Sequence, residues 1–397
     1  MAERTRLNLD GLKGEKHFYY TLQTLNDIVY RKGGNILTKT RKQTFLQGAL
    51  ILVFANALVK VIGAGFKIPL TYLVGPDGMG IYGAAYEIYK WLFIIATAGL
   101  PIAVSKMVSE NIAHDNPMEA HKTFRVSFYL LSVIGMIGTS IMFFGASFFA
   151  QLVGNSRAYL AVMAMSPSLL FVALMSAYRG YFQGMQNMTP TAISQVMEAL
   201  GKLIIGFILA SLWVVRGIEY ASAGAILGVS TGTFLGAVFL YIMYSFSKKD
   251  INLSAQKYQG ADVKVRSARR ILVDLVHIAI PITVGASVFS LTSLIDATMI
   301  MNRLQSIGYS EPDASKLFGY LSGYAATMFG FPSTIVTGLS ISLVPVIASA
   351  YAIKNMRTVK NTTESALRLT LLFALPSGVG LSILAGPILQ LVYTDPG

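Results

Sequence analysis

Two lysines in an otherwise apolar stretch, Lys60 and Lys67, are prominent candidates for chemistry in this chain. They lie seven residues apart, about two helical turns, and would therefore share one face of a helix. An ionised side chain within lipid costs roughly 2.5–3.5 kcal/mol, so such groups usually face a cavity or a partner. Two fixed cations in a low-dielectric cavity would bind a diphosphate strongly. Alternatively, each lysine pairs with a carboxylate such as Glu87, or Lys67 extends to the membrane surface.

Four further residues are candidates for contacts with a substrate: Tyr86, Glu87, Arg179 and Gln195. Tyrosine and carboxylate groups hydrogen-bond hydroxyls, and the planar donors of Arg179 suit a phosphate. Tyrosines near the end of a span are also common in interfacial belts, and Arg179 equally suits a positive anchor at the cytoplasmic end of its span. The sequence leaves both interpretations open.

A second group of residues is predicted to act in gating or ion coupling. Glu198 and Lys202 are spaced i,i+4 in the favourable order, with Gln195 one turn earlier. They form either a self-neutralised pair inside the bundle or a pair that opens during a transport cycle.

Asp296 is the third member of that group, because it is a carboxylate deep in an apolar segment. The internal repeat described below places it on Ala57, one turn from Lys60. A gate between these two charges is one interpretation, and a site for a coupling ion is another. A local bond to Ser290 or Thr292 is the structural alternative.

Several kinds of site are absent from the sequence. The chain has no cysteine, which excludes disulfides, thiolate catalysis and zinc–thiolate sites. Its four histidines lack metal-ligand spacing, and neither a Walker-type phosphate loop nor a G-x-S-x-G motif occurs. We therefore expect no enzyme activity, no cofactor and no metal.

The elements that must position these residues are membrane-spanning helices. Of the 397 residues 54% are hydrophobic and 13% charged, with a mean hydropathy of +0.57, whereas soluble domains average roughly 25% charged residues. Apolar runs of this length cross a hydrocarbon core of about 30 Å as helices. We predict an all-α polytopic membrane protein with about nine spans: 46–74, 81–107, 124–152, 158–182, 190–214, 219–246, 270–301, 318–350 and 364–393.

The net charge of +13 fits a membrane topology better than a nucleic-acid partner. Lysine and arginine are concentrated before the first span and between the sixth and seventh, as expected for segments on the cytoplasmic side. The chain is accordingly divided into a basic cytoplasmic tail (1–45), a first lobe of six spans (46–246), a basic cytoplasmic loop (247–269) and three spans of a second lobe (270–397).

An internal repeat supports two lobes of the same orientation. An offset of 239 residues superposes Gly80 on Gly319, and the same offset superposes residues 151–153 on 390–392. Repeats of six helices are parallel and related by an axis along the membrane normal. Because the second lobe has only three spans, we expect the chain to be part of a longer protein; a natural nine-helix protein is the alternative.

Four segments resemble a known family. They are Lys60–Gly75 (KVIGAGFKIPLTYLVG), Ala98–Lys106 (AGLPIAVSK), Tyr178–Gly184 (YRGYFQG) and Met188–Glu198 (MTPTAISQVME). Together they resemble the stage V sporulation protein B-like polysaccharide transporters, which are similar to MurJ-type lipid II flippases of the multidrug/oligosaccharidyl-lipid/polysaccharide (MOP) exporter superfamily. The resemblance runs from about residue 43 to the C-terminus.

The resemblance implies a two-lobed bundle around a central cavity, in the bacterial plasma (inner) membrane with a cytoplasmic N-terminus. It also implies a flippase that moves an undecaprenyl-diphosphate-linked saccharide, such as lipid II, to the outer leaflet by alternating access. The expected partners are this substrate and membrane lipid, with cell-wall synthesis enzymes as further candidates. A cation-coupled multidrug exporter and a non-transporting membrane scaffold are the alternatives.

Overall fold

The computed structural model describes residues 45–114, 116–257, 266–330 and 354–393, together with Pro332 and Ile347. The regular elements in these ranges are helices, and residues 43–397 form one compact unit. The tail predicted over 1–45 lies outside the described residues except for Phe45. Parts of the loop 247–269 and of the eighth span also lie outside them.

The helices follow one another with short connections. In chain order they are α1 (Phe45–Thr97), α2 (Gly99–Ala113), α3 (Pro117–Phe144), α4 (Ala146–Val153), α5 (Tyr159–Gly184), α6 (Thr189–Gly201), α7 (Phe207–Trp213), α8 (Ile218–Lys257), α9 (Ala268–Ser306), α10 (Glu311–Gly319), α11 (Met356–Ile383) and α12 (Ala385–Val392). Two π-helical segments interrupt this series, Lys202–Gly206 between α6 and α7, and Tyr320–Ala325 after α10.

Seven helical stretches of the described residues are long and apolar enough to cross a membrane. The first, Leu50–Ala113, has 64 residues, whereas one crossing needs about 20, so it is long enough to cross the membrane more than once. It is broken at Gly75, whose φ of 64° lies in the left-handed region that glycine tolerates. The first two predicted spans therefore meet at Gly75, and the prediction of an all-α polytopic membrane protein is confirmed.

Several predicted boundaries require correction. Helix α3 begins at Pro117 rather than at 124, because the Asn116 side chain accepts a hydrogen bond from the Glu119 N–H (3.1 Å) and Pro117 suits the first helical turn. Helix α8 continues to Lys257, beyond the predicted end at 246. A polar sequence can extend a membrane helix beyond the apolar region, and hydropathy does not show where it ends.

Lobe one is packed around α5, which is buried along most of its length between α3 and α8. Helix α8 carries four glycines at intervals of four residues: Gly224, Gly228, Gly232 and Gly236. A Cβ atom on Gly228 would overlap Gly206, and one on Gly232 would lie 2.5 Å from the Glu198 carbonyl oxygen. Small residues at this spacing allow helix backbones to approach closely. The fifth span is thereby held directly against α8.

The two lobes meet along a glycine seam, which we define as residues 76–83 with 315–323. A Cβ on Gly80 would overlap the backbone oxygen of Ser315, and one on Gly319 would overlap that of Pro76. The offset of 239 residues superposes Gly80 on Gly319 and Pro76 on Ser315, so the two contacts are equivalent under the repeat. Reciprocal contacts of this kind are expected of two units related by a two-fold axis. The seam supports the predicted repeat.

The end of the chain packs differently. Helix α11 has no buried residue among those described. Tyr393 is 2% exposed, and its ring lies 4.4 Å from that of Tyr324. The Tyr72 hydroxyl donates a hydrogen bond to the backbone oxygen of Val392. Lobe two thus contacts lobe one at its described ends, whereas α11 is exposed along its length.

Candidate functional site: a cationic and aromatic cluster between spans one, two, five and eight

Lys67 joins the two lobes. Its ammonium group donates a hydrogen bond to the backbone oxygen of Ser322 at 3.0 Å. Ser322 lies in the π-helical segment after α10 and is part of the glycine seam. No carboxylate of the described ranges lies within 4.0 Å of Lys67. The predicted alternative, pairing with Glu87, is therefore not what this structure has.

Lys202 approaches the same place from the fifth span. Its ammonium nitrogen lies over three ring centres, at 5.0 Å from Phe66, 5.2 Å from Tyr86 and 5.8 Å from Tyr82. We call these three rings the aromatic cage. Lys202 is the first residue of the π-helical segment Lys202–Gly206, and such segments often occur at functional sites.

Glu87 faces this cluster from the second span. One of its oxygens accepts a 2.6 Å bond from Lys90, three residues on. The other oxygen, Oε2, is buried and has no hydrogen-bond partner in the described part of the chain. Glu87 is therefore paired with Lys90 through one oxygen, and its other oxygen can accept a hydrogen bond from a hydroxyl or amide group.

Arg179 and Glu198 form a separate pair. The Arg179 guanidinium donates to Glu198 Oε2 at 3.1 Å and to the Ser194 hydroxyl at 3.0 Å. The prediction that Glu198 pairs with Lys202 is wrong: Glu198 binds Arg179 of α5, and the Lys202 ammonium group lies over aromatic rings instead. The sequence left open whether Arg179 binds phosphate or acts as a positive anchor. In this structure its guanidinium is already paired with Glu198, so a phosphate would have to compete with that carboxylate.

Other polar atoms at the cluster have no partner within the described ranges. They are Tyr82 Oη, Gln195 Oε1 and Ser322 Oγ. Tyr82 is 2% exposed, and its ring stacks on that of Tyr86 at 5.7 Å. A buried polar atom without a partner is unfavourable unless a ligand or water supplies one. These atoms include donors and acceptors, which suits hydroxyl groups.

Lys60 and Asp296 lie apart from the cluster. Both are exposed, and no ion pair joins them in the residues that the structure describes. The proposed local bonds of Asp296 are absent too, since Ser290 and Thr292 donate to the carbonyl groups of Ser287 and Val288. The structure therefore gives no support to a gate between Lys60 and Asp296.

Sequence reasoning missed a charged cluster at the end of the bundle where Gly75 lies. Arg157 binds Asp77 at 2.9 Å and Glu219 at 2.7 Å. Glu311 of lobe two accepts hydrogen bonds from the Ser156 hydroxyl (2.7 Å) and the Arg157 N–H (3.3 Å). We call Asp77, Arg157, Glu219 and Glu311 the Arg157 cluster. The four residues lie far apart in the sequence, near the break at Gly75, in the turn before α5 and at the starts of α8 and α10, and this spacing gave no signal.

A metal site has no support in the described ranges, where no three histidine, aspartate or glutamate side chains gather as ligands. The cluster instead combines unpaired cations, aromatic rings and unpartnered oxygens. Such a lining suits an anion attached to a polyhydroxylated group.

Two curated proteins are similar to this chain in sequence. Stage V sporulation protein B of Bacillus subtilis is 29% identical over 357 residues, covering 90% of this chain and 68% of that protein. Lipid II flippase MurJ of the same organism is 25% identical over 362 residues, covering 88% of this chain and 66% of that one. The chain thus spans about two thirds of the length of these relatives.

Solved structures share the fold. An inward-facing multidrug resistance MATE family transporter of the MOP superfamily superposes with a TM-score of 0.65 at 13% identity, covering 87% of this chain and 76% of that one. A MOP superfamily transporter from Pyrococcus furiosus gives a TM-score of 0.59 at 14% identity, covering 88% and 74%. The chain therefore shares the fold of these two transporters.

These relatives are membrane flippases and transporters rather than enzymes. The sequence profile described as polysaccharide biosynthesis protein matches residues 45–351, which is most of the chain. The resemblance seen in the sequence motifs is confirmed: the chain belongs to the polysaccharide biosynthesis protein family.

Proposed function

We propose that this protein is a flippase for an undecaprenyl-diphosphate-linked saccharide, with lipid II or a related cell-wall precursor as the substrate. The observation that carries the proposal is Lys67, a partly buried cation whose partner is a single backbone carbonyl of the other lobe. A neutral carbonyl leaves the positive charge uncompensated, so an anionic group would be attracted to it. The nearby unpartnered oxygens are suited to the saccharide.

In a transporter that works by alternating access, the hydrogen bond between Lys67 and Ser322 would help to hold the two lobes together in one of the two states. The two lobes, proposed over 46–246 and 270–397, are joined here by a cation that the substrate also requires. A diphosphate that binds Lys67 competes with Ser322 for the same ammonium group. Substrate binding would thereby weaken a contact between the lobes, which is how a ligand shifts a two-state equilibrium.

The other predicted residues have graded support. Tyr86 belongs to the aromatic cage, and Glu87 and Gln195 each have a buried oxygen without a partner; all three are proposed as substrate contacts. Arg179 is neutralised by Glu198 and is proposed as a structural support for the fifth span. Lys60 is exposed and is proposed to contact substrate on its way to the cluster.

The orientation follows from charge. Lysine and arginine before the first span and after the sixth favour a cytoplasmic N-terminus in the bacterial inner membrane. The flipped saccharide would then be delivered to the side where cell-wall synthesis enzymes consume it. A cation-coupled multidrug exporter is the second candidate from the shared fold, but a site with two uncompensated lysines would repel the coupling cation.

The test uses a bacterial strain depleted of its own lipid II flippase. Lipid II exposed on the outer leaflet is measured with this protein, with Lys67→Ala and with Lys106→Ala, at equal protein levels. Lys106 is a matched control because it is exposed and pairs with Glu110 at 3.8 Å, outside the cluster. We expect the protein and the control to restore exposure and Lys67→Ala to fail. Failure of the unsubstituted protein would argue against lipid II, and full activity of Lys67→Ala would argue against the site.

A further inference from the structure

Lys202 is held in the site by aromatic rings rather than by an acid. Cation–π attraction to the aromatic cage fixes the position of the ammonium group, but the rings carry no net charge. Among the described side chains no carboxylate oxygen lies within 4.0 Å of it, since Glu198 binds Arg179. The positive charge of Lys202 is therefore positioned without being neutralised.

Lys67 and Lys202 form a pair of cations. Lys67 follows the cage residue Phe66 directly, so that one turn of α1 carries both a wall of the cage and the second cation. Both ammonium groups approach the same turn of the second span: Lys202 Nζ lies 5.8 Å from the centre of the Tyr82 ring, and the Ser322 that binds Lys67 has its hydroxyl oxygen 2.5 Å from where a Cβ on Gly83 would lie. Two like charges held together within a partly buried site are unfavourable, and a ligand with two negative charges would relieve their repulsion.

We propose that Lys202 is a substrate-binding residue and that, with Lys67, it selects a diphosphate-linked saccharide over a monophosphate-linked one. This inference rests on the proposed function and assigns Lys202 to binding rather than to gating. A diphosphate diester carries two adjacent negative charges, one for each cation. A monophosphate diester carries one and would leave the second cation without a counter-charge.

The aromatic cage fixes the position of the charge on Lys202. Lysine side chains are flexible, and an unrestrained one would move with any anion that arrived. Three rings surround one ammonium group, and the π turn that carries it packs directly on Gly228 of α8, so the charge is held at one place. Tyr82 and Tyr86 are therefore positioning residues for Lys202.

The test compares two lipids that differ in one phosphate. The probes are undecaprenyl-diphosphate-linked and undecaprenyl-monophosphate-linked N-acetylglucosamine, and their Kd values for the purified chain in nanodiscs are measured by native mass spectrometry. Lys202→Met removes the charge, and its thioether keeps favourable contacts with aromatic rings, so the fold should be retained. Lys202→Arg keeps the charge, and Lys106→Met is the control outside the cluster.

We expect the unsubstituted protein to bind the diphosphate lipid roughly ten-fold more tightly, the difference that one added charge contact gives. Lys202→Met should abolish this preference while its affinity for the monophosphate lipid stays close to the original. Lys202→Arg and Lys106→Met should retain the preference. Lys202→Met with the full preference would overturn the inference.

The cage is tested by variants that separate the ring from the hydroxyl. Tyr86→Phe keeps the ring and should retain the preference, whereas Tyr86→Leu should reduce it. Equal binding of both lipids by the unsubstituted protein would overturn this inference and leave a lipid-linked saccharide site intact. Binding of neither lipid would instead contradict the proposed function itself.

Discussion

The two halves of the first span have opposite environments. In the first half Phe54 is 73% exposed and Val61 66% exposed, whereas in the second half Phe66 and Leu70 are fully buried. The change occurs within one turn, next to Lys67. One helix therefore runs from a region without close neighbours into one where the lobes touch backbone to backbone.

The difference indicates which end of the protein is closed. At the Gly75 end the glycine seam and the Arg157 cluster join the lobes, while around residues 54–65 a Cβ on Gly63 or Gly65 would meet no atom within 4 Å. Lys67 lies at the boundary. A substrate reaching it from the exposed half would encounter the closed half directly beyond, as alternating access requires.

The largest expected effect comes from filling the seam. Gly80→Val places side-chain atoms where the Ser315 carbonyl lies, and overpacking of this kind costs about 1–3 kcal/mol. The closed half should open. Because the chain has no cysteine, a single cysteine replacing the buried Ala84 reports the change by its rate of maleimide labelling, which should rise roughly 10- to 100-fold.

The matched control for the seam is Gly65→Val in the exposed half. It makes the same chemical change where there is space, so the labelling of the cysteine at position 84 should not change. Gly319→Val should reproduce the effect of Gly80→Val from the other lobe. Slow labelling in both seam variants would show that the seam does not hold the lobes closed.

A smaller effect is expected from the Arg157 cluster. Arg157→Gln leaves Asp77 and Glu219 without their cation, and ion pairs that are partly exposed, as these are, contribute about 0.2–1 kcal/mol each. Labelling at position 84 should rise by roughly ten-fold. Arg303→Gln, an exposed arginine on α9, should leave labelling unchanged. Equal labelling rates in the two variants would show that the Arg157 cluster contributes no more to the closed state than an exposed surface charge does.

The smallest effect on stability is expected at Lys60. The side chain is exposed, so Lys60→Gln should change the free energy of unfolding by no more than about 0.5 kcal/mol, measured by thermal denaturation in nanodiscs. Flipping should nevertheless fall roughly five-fold if the exposed half is the substrate path. Unchanged flipping would mean that this half faces only lipid.

Much of the fold could be predicted from the sequence because hydropathy alone determines which segments cross the membrane. Lys67, Tyr86, Glu87 and Gln195 were predicted to share a site for a related reason, since polar residues on membrane spans usually face a cavity or a partner, and their role in binding stays a prediction. The partners were not predictable. The backbone from Glu198 to Lys202 is regular α-helix, as the i,i+4 rule assumes, yet Glu198 binds Arg179 of another span, which a rule about one helix does not include.

The internal repeat was informative in one place and misleading in another. It superposed Gly80 on Gly319, and these residues touch because they lie where the two lobes meet. It also superposed Asp296 on Ala57, close to Lys60, yet equivalent positions away from the axis do not face each other. Sequence equivalence therefore predicts contact only near the symmetry axis.

The glycine seam also affects how easily the closed state forms and breaks. Glycine loses no side-chain entropy on burial, whereas an ordered lysine or arginine loses up to about 2 kcal/mol. The residues that meet most closely at Gly80 and Gly319 therefore have no rotamers to order or release as the lobes separate. The balance between the two states then depends on the charges around the seam, and a modest change in those charges is enough to make the motion reversible.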